Sequence, residues 1–377
     1  MTNDYNVGAM DLTKSVLTVW LALIPAIGVL IGAQTQAQPA TTVETGILDG
    51  AAFRIEIPAA WNKGLVMYAH GYSVEAVSYT KETQLSSGLR GEFLSRGFAF
   101  AESAYSKQGW AVKEGIADTE ALRRYFLKKH GQPAETYIVG HSMGGHITVA
   151  TIERFPDAYD GAMPMCGPLG SAIDFLNNGL FDMLVTFEAM FPGTIGSPYE
   201  PRLETAAKVK AAITAQPDRA AIFSQHFARP VADLPGVLTF FQVIAAELKQ
   251  RAGGEPFDNR NRIYAGFGDD AALNRTIKRY TANPAARDYV RQNASPTGRT
   301  ADPVLTLHTT SDPLVLGSDV TAYEVLAVQA GMADRFVARF VDARGHCNFT
   351  PAQTGSAFDA LRSWAKSGVR PVGGEQK

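Results

Sequence analysis

Between residues 43 and 368 the chain alternates short, continuously apolar runs with longer stretches of helical period. Gly64-Leu65-Val66-Met67-Tyr68-Ala69, Thr136-Tyr137-Ile138-Val139, Asp160 to Met165, Pro303 to His308 and Phe336 to Val341 are such runs. They are too short for helices and lack the apolar-polar alternation of a half-exposed strand, so they predict strands buried on both faces. One further strand pair, within about Ile47 to Pro58, precedes the first of them. Helix-competent segments lie between, among them Gly145 to Ile152 and a last one from about Pro351 to Lys366. Strands alternating with helices predict an α/β fold with a mostly parallel, doubly wound sheet. One long segment, Gly167 to Arg299, breaks the alternation. It reads as helices interrupted by Pro and Gly, at Ser171 to Phe191, Glu204 to Ala215 and Leu238 to Arg251, with a polar loop over Arg251 to Tyr264. The expected organisation is a core over 43–166 and 300–368, a helical cap inserted over 167–299, and a C-terminal tail over 369–377. Most apolar residues of the insert must form its own small core. Leu169, Phe175, Phe181 and Phe187 are the candidates among them for a pocket wall.

The N-terminus has a different pattern. No charged residue occurs between Lys14 and Glu44, and Ser15 to Ala33 is mostly apolar. Thr35-Gln36-Ala37 places small residues at the −3 and −1 positions of a cleavage site before Gln38. Residues 1–37 therefore read as a signal peptide. The alternative is an uncleaved anchor, although Pro25 and Gly28 interrupt the apolar run. Either reading places the rest of the chain outside the cytoplasm, in the periplasm or beyond it, and only the second attaches it to a membrane.

Of the 377 residues, 46% are hydrophobic and 19% charged, enough to bury a large core, and the formal net charge is −2. No basic patch is present to offset phosphates, which argues against a nucleic-acid partner. There are two cysteines, Cys166 and Cys347. In an oxidising compartment an even count permits a disulfide, and two free buried thiols are the alternative.

Candidate chemistry begins at Gly140-His141-Ser142-Met143-Gly144, which joins the strand ending at Val139 to the helix beginning near Gly145. Strand, G-x-S-x-G and helix in that order predict a sharp turn that pushes the serine hydroxyl out of the sheet at a helix N-terminus. Alone the pentapeptide is weak, since Gly and Ser are common. An acid and a histidine follow it in the order that a serine nucleophile of this topology requires. Asp312 comes just after the apolar run ending at His308, where its bland reading is a turn before Pro313. His346 lies 34 residues later, after Gly345 and beyond the last predicted strand. His70-Gly71-Tyr72, after the first buried run, supplies a turn where backbone N–H groups approach the serine. His141 and His146 are spaced five apart, which is not a zinc pairing, so they read as local packing or hydrogen-bonding groups.

Taken together, His70-Gly71, Gly140-His141-Ser142-Met143-Gly144-Gly145, Asp312-Pro313 and Gly345-His346-Cys347 resemble the α/β-hydrolase superfamily. Trp61-Asn62 and the Gly-His-Cys ending resemble its secreted bacterial serine esterases. The resemblance implies an eight-stranded, mostly parallel sheet and a triad of Ser142, Asp312 and His346. It implies an oxyanion hole from the N–H groups of Tyr72 and Met143, with His70 and His141 beside the substrate pocket. The reaction it implies is hydrolysis of a carboxylic ester, small or polymeric, through an acyl-enzyme, with neither a metal nor an organic cofactor. A serine peptidase or amidase with the same triad is the main alternative. A non-catalytic binding protein on this fold is the third reading, and it is disfavoured by the presence of all three triad residues.

Overall fold

The computed structural model describes residues 41–74, 89–171, 173–293 and 295–376. The expected signal segment, 1–37, lies outside them. Nine strands form one sheet: β1 (Thr42–Leu48), β2 (Ala51–Ile57), β3 (Gly64–Ala69), β4 (Ala99–Ser103), β5 (Glu135–His141), β6 (Gly161–Met165), β7 (Val304–Ser311), β8 (Phe336–Arg344) and β9 (Gly374–Gln376). Their spatial order is β1-β2-β4-β3-β5-β6-β7-β8-β9. β2 runs antiparallel to both β1 and β4, and every other pairing is parallel. This is the α/β-hydrolase fold.

The buried runs behave as their composition requires. Along β3, Leu65 and Met67 pack on one face of the sheet with Leu122, Phe126, Val149 and Ile152. Val66 and Tyr68 pack on the other with Phe93, Phe100 and Phe358. Both faces are covered by helices, so no position on the strand is left for a polar side chain. The covering helices on the first face are α1 (Val112–His130) and α2 (Met143–Arg154). On the second face lies the terminal helix Pro351–Ser367, whose Ala357, Phe358, Leu361 and Trp364 are buried.

Between β6 and β7 lie a π-helical stretch, Ile173–Phe181, and the helices α3 (Asp182–Met190), α4 (Thr205–Ala215), α5 (Pro217–His226), α6 (Leu234–Arg251), α7 (Asp270–Thr276) and α8 (Pro284–Asn293). Their apolar faces merge with residues of the core, among them Trp110, Ile116, Met143 and Ile147, in one hydrophobic cluster. Buried charges tie the same surfaces together. The Glu247 carboxylate of α6 accepts the Trp110 N–H at 2.8 Å, and Arg251 pairs with both Glu247 and Glu114.

Two sequence expectations need correction. Among the described residues the sheet has nine strands rather than eight. The segment 369–377, read as a tail, carries β9, which pairs with Arg339, Phe340 and Val341 of β8. Three polar and glycine positions leave no periodicity by which a strand could be recognised.

Candidate active site

Ser142 stands between β5 and α2 with φ 54° and ψ −123°, a backbone region that non-glycine residues avoid. The elbow holds it there. Ser142 N–H donates to Met165 O at 2.9 Å, and Ser142 O accepts from Gly145 N–H at 2.8 Å. The glycines two before and two after it are required sterically. A Cβ on Gly140 would lie 2.4 Å from Gly144 O, and one on Gly144 would lie 2.0 Å from Ala69 O. Both contacts are with backbone, so neither is relieved by a rotamer change. Ser142 thus sits at the N-terminus of α2, whose first N–H groups have no helical acceptor.

Asp312 follows β7 and is buried, with no side-chain exposure. Its Oδ2 accepts a hydrogen bond from His346 Nδ1 at 2.7 Å. Its Oδ1 accepts the backbone N–H groups of Leu314 and Val315 at 2.8 and 3.0 Å. Burial pushes this carboxyl up, but the hydrogen bond and charge of His346 and the two amides outweigh it and hold it below its ordinary value. An ionised carboxylate can only accept, so the proton of the neutral imidazole lies on Nδ1. His346 Nε2 is buried and has no hydrogen-bond partner among the described residues.

Three ties carry His346 to Asp312. Gly345 N–H donates to Ser311 O at 2.9 Å, and Thr309 Oγ1 donates to Gly345 O at 2.8 Å, closing the ends of β7 and β8 on each other. Gly345 has φ 116°, open to glycine, and the chain reverses around the histidine. Cys347 is joined to Cys166, at the end of β6, by a disulfide. A nitrogen of His346 and the two sulfurs lie within 4.8 Å of one another. Because the sulfurs are bonded to each other, this trio offers no thiolate to a metal.

Tyr72, Ser142 and Met143 line one narrow cavity of about 10 Å³, room for little more than a water molecule. Its remaining wall is Trp110, Pro168, Phe175, Phe240, Ile244, Leu314 and Val315. Tyr72 meets Phe240 edge-on with ring centroids 5.2 Å apart, and Trp110 stacks on Phe175 at 6.0 Å. Gly71 lies beneath: a Cβ there would come within 3.3 Å of His141 O and Ser142 Cβ. The site is apolar and tight, with the serine at its floor.

Of the expected pocket residues, only Phe175 lines this cavity. Phe181 packs against Tyr199, Phe257 and Tyr280, and Phe187 against Phe191 and Phe223, all within the segment between β6 and β7. Leu169 is buried in the core cluster beneath the first sheet face. His70 is half-buried, stacked on Tyr105 with its Nδ1 donating to Gly71 O at 2.7 Å, so it shapes the turn from behind. His141 is hydrogen-bonded through Nδ1 to Tyr68 Oη at 2.9 Å, and burial, then the neighbouring His346, lower its pKa to about 4. His146 is likewise held neutral by burial, at about 4, although its hydrogen bond to Pro168 O opposes the shift. Trp110, Phe240, Ile244, Leu314 and Val315 were not expected. Leu314 and Val315 adjoin Asp312-Pro313 and were within reach of the motif; nothing local marks Trp110 or Phe240.

A model for a tannase-like family of unknown function matches residues 38–196, a stretch holding Ser142 but neither Asp312 nor His346. An o-phthalyl amidase from Xanthobacter agilis is 24% identical over 411 residues, 88% of this chain and 89% of the amidase. Among solved structures, Est1E from Butyrivibrio proteoclasticus superposes with a TM-score of 0.43 at 12% identity, over 86% of this chain and 99% of its own. LipA, a rice cell wall degrading esterase from Xanthomonas oryzae, gives 0.41 at 15% identity, over 86% and 87%. A puromycin-hydrolyzing peptidase from Mycobacterium tuberculosis gives 0.46 at 15% identity, over 90% of this chain and 41% of the peptidase.

Proposed function

On the premise of the α/β-hydrolase fold, we propose that the chain is a serine hydrolase that cleaves carboxylic esters through an acyl-enzyme on Ser142. The observation that carries the reading is the Asp312–His346 hydrogen bond, which directs the proton to Nδ1 and leaves the Nε2 lone pair without a hydrogen-bond partner among the described residues. In the proposed reaction Nε2 takes the Ser142 hydroxyl proton as Oγ attacks the acyl carbonyl. The oxyanion is received by the N–H groups of Tyr72 and Met143. The ester C–O bond then breaks, and the alcohol leaves with the proton from Nε2. Water, deprotonated by the same nitrogen, attacks the acyl-enzyme, and Ser142 recovers its proton as the acid departs. Asp312 orients the imidazole and stabilises its cation. The walls of Tyr72, Trp110, Phe175 and Phe240 are apolar and favour an apolar acyl group, for which these side chains must part. The N-terminal apolar segment and the disulfide support action outside the cytoplasm.

Amide hydrolysis with the same residues is the second reading, favoured by the similarity to an amidase along nearly the whole chain. A fluorophosphonate probe should label Ser142 in the folded protein and not in Ser142→Ala. Equal labelling of both would remove either reading. Turnover of p-nitrophenyl butyrate should exceed that of a matched p-nitroanilide, and the reverse order would assign the chain to amides.

A further inference from the structure

The helical insert sends one buried cation into the loop of the candidate acid. Arg229, between α5 and α6, is 4% exposed. Its Nε donates to Pro313 O at 2.9 Å and its Nη2 to Leu314 O at 3.3 Å, while Nη1 donates to Phe227 O of its own segment at 2.9 Å. The guanidinium lies over the Phe241 ring of α6, 5.6 Å from its centroid. No carboxylate is paired with it among the described residues, so its hydrogen bonds are spent on carbonyls.

Those carbonyls belong to the segment whose amides orient Asp312. Leu314 offers its N–H to Asp312 Oδ1 and its C=O to Arg229. Val315 offers its N–H to the same Oδ1 and its C=O to His308 Nε2 at 3.0 Å. Leu316 N–H is taken by Asp319 at 2.9 Å. The peptide units carrying the two amides that set the carboxylate are therefore both held from behind by Arg229, through Pro313 O and Leu314 O. Leu314 and Val315 also line the cavity above Ser142.

We infer that Arg229 is a positioning residue for Asp312, through which the insert fixes the orientation of the His346 ring. The inference rests on the triad reading proposed above. A guanidinium suits this role because its planar fork reaches two adjacent carbonyls at once, which an ammonium cannot do with the same geometry.

The test is a double-mutant cycle on p-nitrophenyl butyrate hydrolysis, with kcat and KM measured for Arg229→Met, Arg229→Lys, Asp312→Asn and the paired variants. Misplacing a catalytic group by a fraction of an ångström lowers turnover, so Arg229→Met should reduce kcat roughly 10- to 100-fold with KM little changed. In the Asp312→Asn background the same change should cost less than about twofold, because the group it positions is already disabled. If Arg229→Met does not fold, Arg229→Lys is read in the same cycle with the same expectation. An equal loss in both backgrounds, no loss in either, or a loss carried by KM would overturn the inference and leave the triad standing. Undiminished turnover in Asp312→Asn alone would instead overturn the triad reading, and this inference with it.

Discussion

Cys347, the residue after His346, is covalently joined to Cys166, the residue after the last position of β6. The base of the candidate triad is thereby fastened across the carboxyl edge of the sheet, from the loop after β8 to the end of a strand that neighbours the nucleophile's own. The bond spans 181 residues of sequence. A loop of that size confines the unfolded chain strongly, by up to roughly 5 kcal/mol in the chain-entropy account. Cys166→Ser with Cys347→Ser should therefore lower the midpoint of thermal unfolding and also lower kcat. Thiol titration of the denatured, unreduced wild type should find close to none. Two titratable thiols would refute the bridge.

Asp312→Asn separates geometry from charge. The Asn side-chain oxygen can still accept from Leu314 and Val315, so the loop should keep its shape, while the loss of the charge paired with His346 lowers the melting temperature at neutral pH. Its amide would then face His346 Nδ1 with a donor, favouring the tautomer whose proton sits on Nε2. Turnover should fall by about 10³- to 10⁴-fold. Near-normal kcat would mean that another acid serves His346.

Gly71 tests the close approach beneath the serine. A methyl group there meets His141 O and Ser142 Cβ at 3.3 Å, tight enough to push the elbow by tenths of an ångström without breaking the core. Gly71→Ala should slow fluorophosphonate labelling of Ser142 by about tenfold or more while the protein stays folded, since small misplacement at the reacting atom is costly. An unaltered labelling rate would show that the turn yields freely.

The elbow was legible in sequence because its geometry is local. A strand, two glycines around a serine and a helix define it within ten residues, and the steric reason for the glycines appears directly as the Gly144 contact with Ala69 O. Asp312 and His346 were legible through their place after buried strands. The cavity wall was not. Phe175 and Phe181 both open the insert, six residues apart on a π-helical stretch, and which of them turns toward Ser142 is settled by packing against Trp110 or against Phe257. Arg229 reaches Pro313 across 84 residues of sequence, with no motif at either end to announce it.

Protons report on two histidines, His146 buried and His141 half-buried. His141 and His146 have folded pKa values of about 4, below the ordinary imidazole value of 6.5. Between those two values the unfolded chain binds protons that the native state excludes, so stability falls as pH drops from about 6.5 to 4 and levels off for these groups below that. Asp312, with its pKa lowered, contributes in a lower window: its stabilisation is present above the ordinary carboxyl value and disappears as pH falls through the folded one. Burial raises the carboxyls of Glu102, Asp182 and Asp319 to about 7, 6 and 6, and these gain stability as pH falls through the same window, so the histidine contribution is read as a difference between variants. Relative to wild type, His146→Gln should lose less of its urea midpoint between pH 6.5 and 4, and an identical change in both proteins would contradict the neutral state of the His146 imidazole.

The cavity and the core of the insert call for opposite responses to the same substitution. Phe240 lines the space above Ser142 and faces Tyr72, so Phe240→Ala should enlarge the acyl site and shift preference toward longer or bulkier p-nitrophenyl esters. Phe187 is fully buried between Phe191 and Phe223, away from the serine. Truncating it removes a buried ring and leaves a cavity, a loss of about 3–5 kcal/mol, with no reason for acyl preference to move. Relative kcat/KM across an ester series, measured alongside thermal unfolding, separates the two. A change of chain-length preference in Phe187→Ala, or none in Phe240→Ala, would mean that the acyl group lies elsewhere than in the cavity above Ser142.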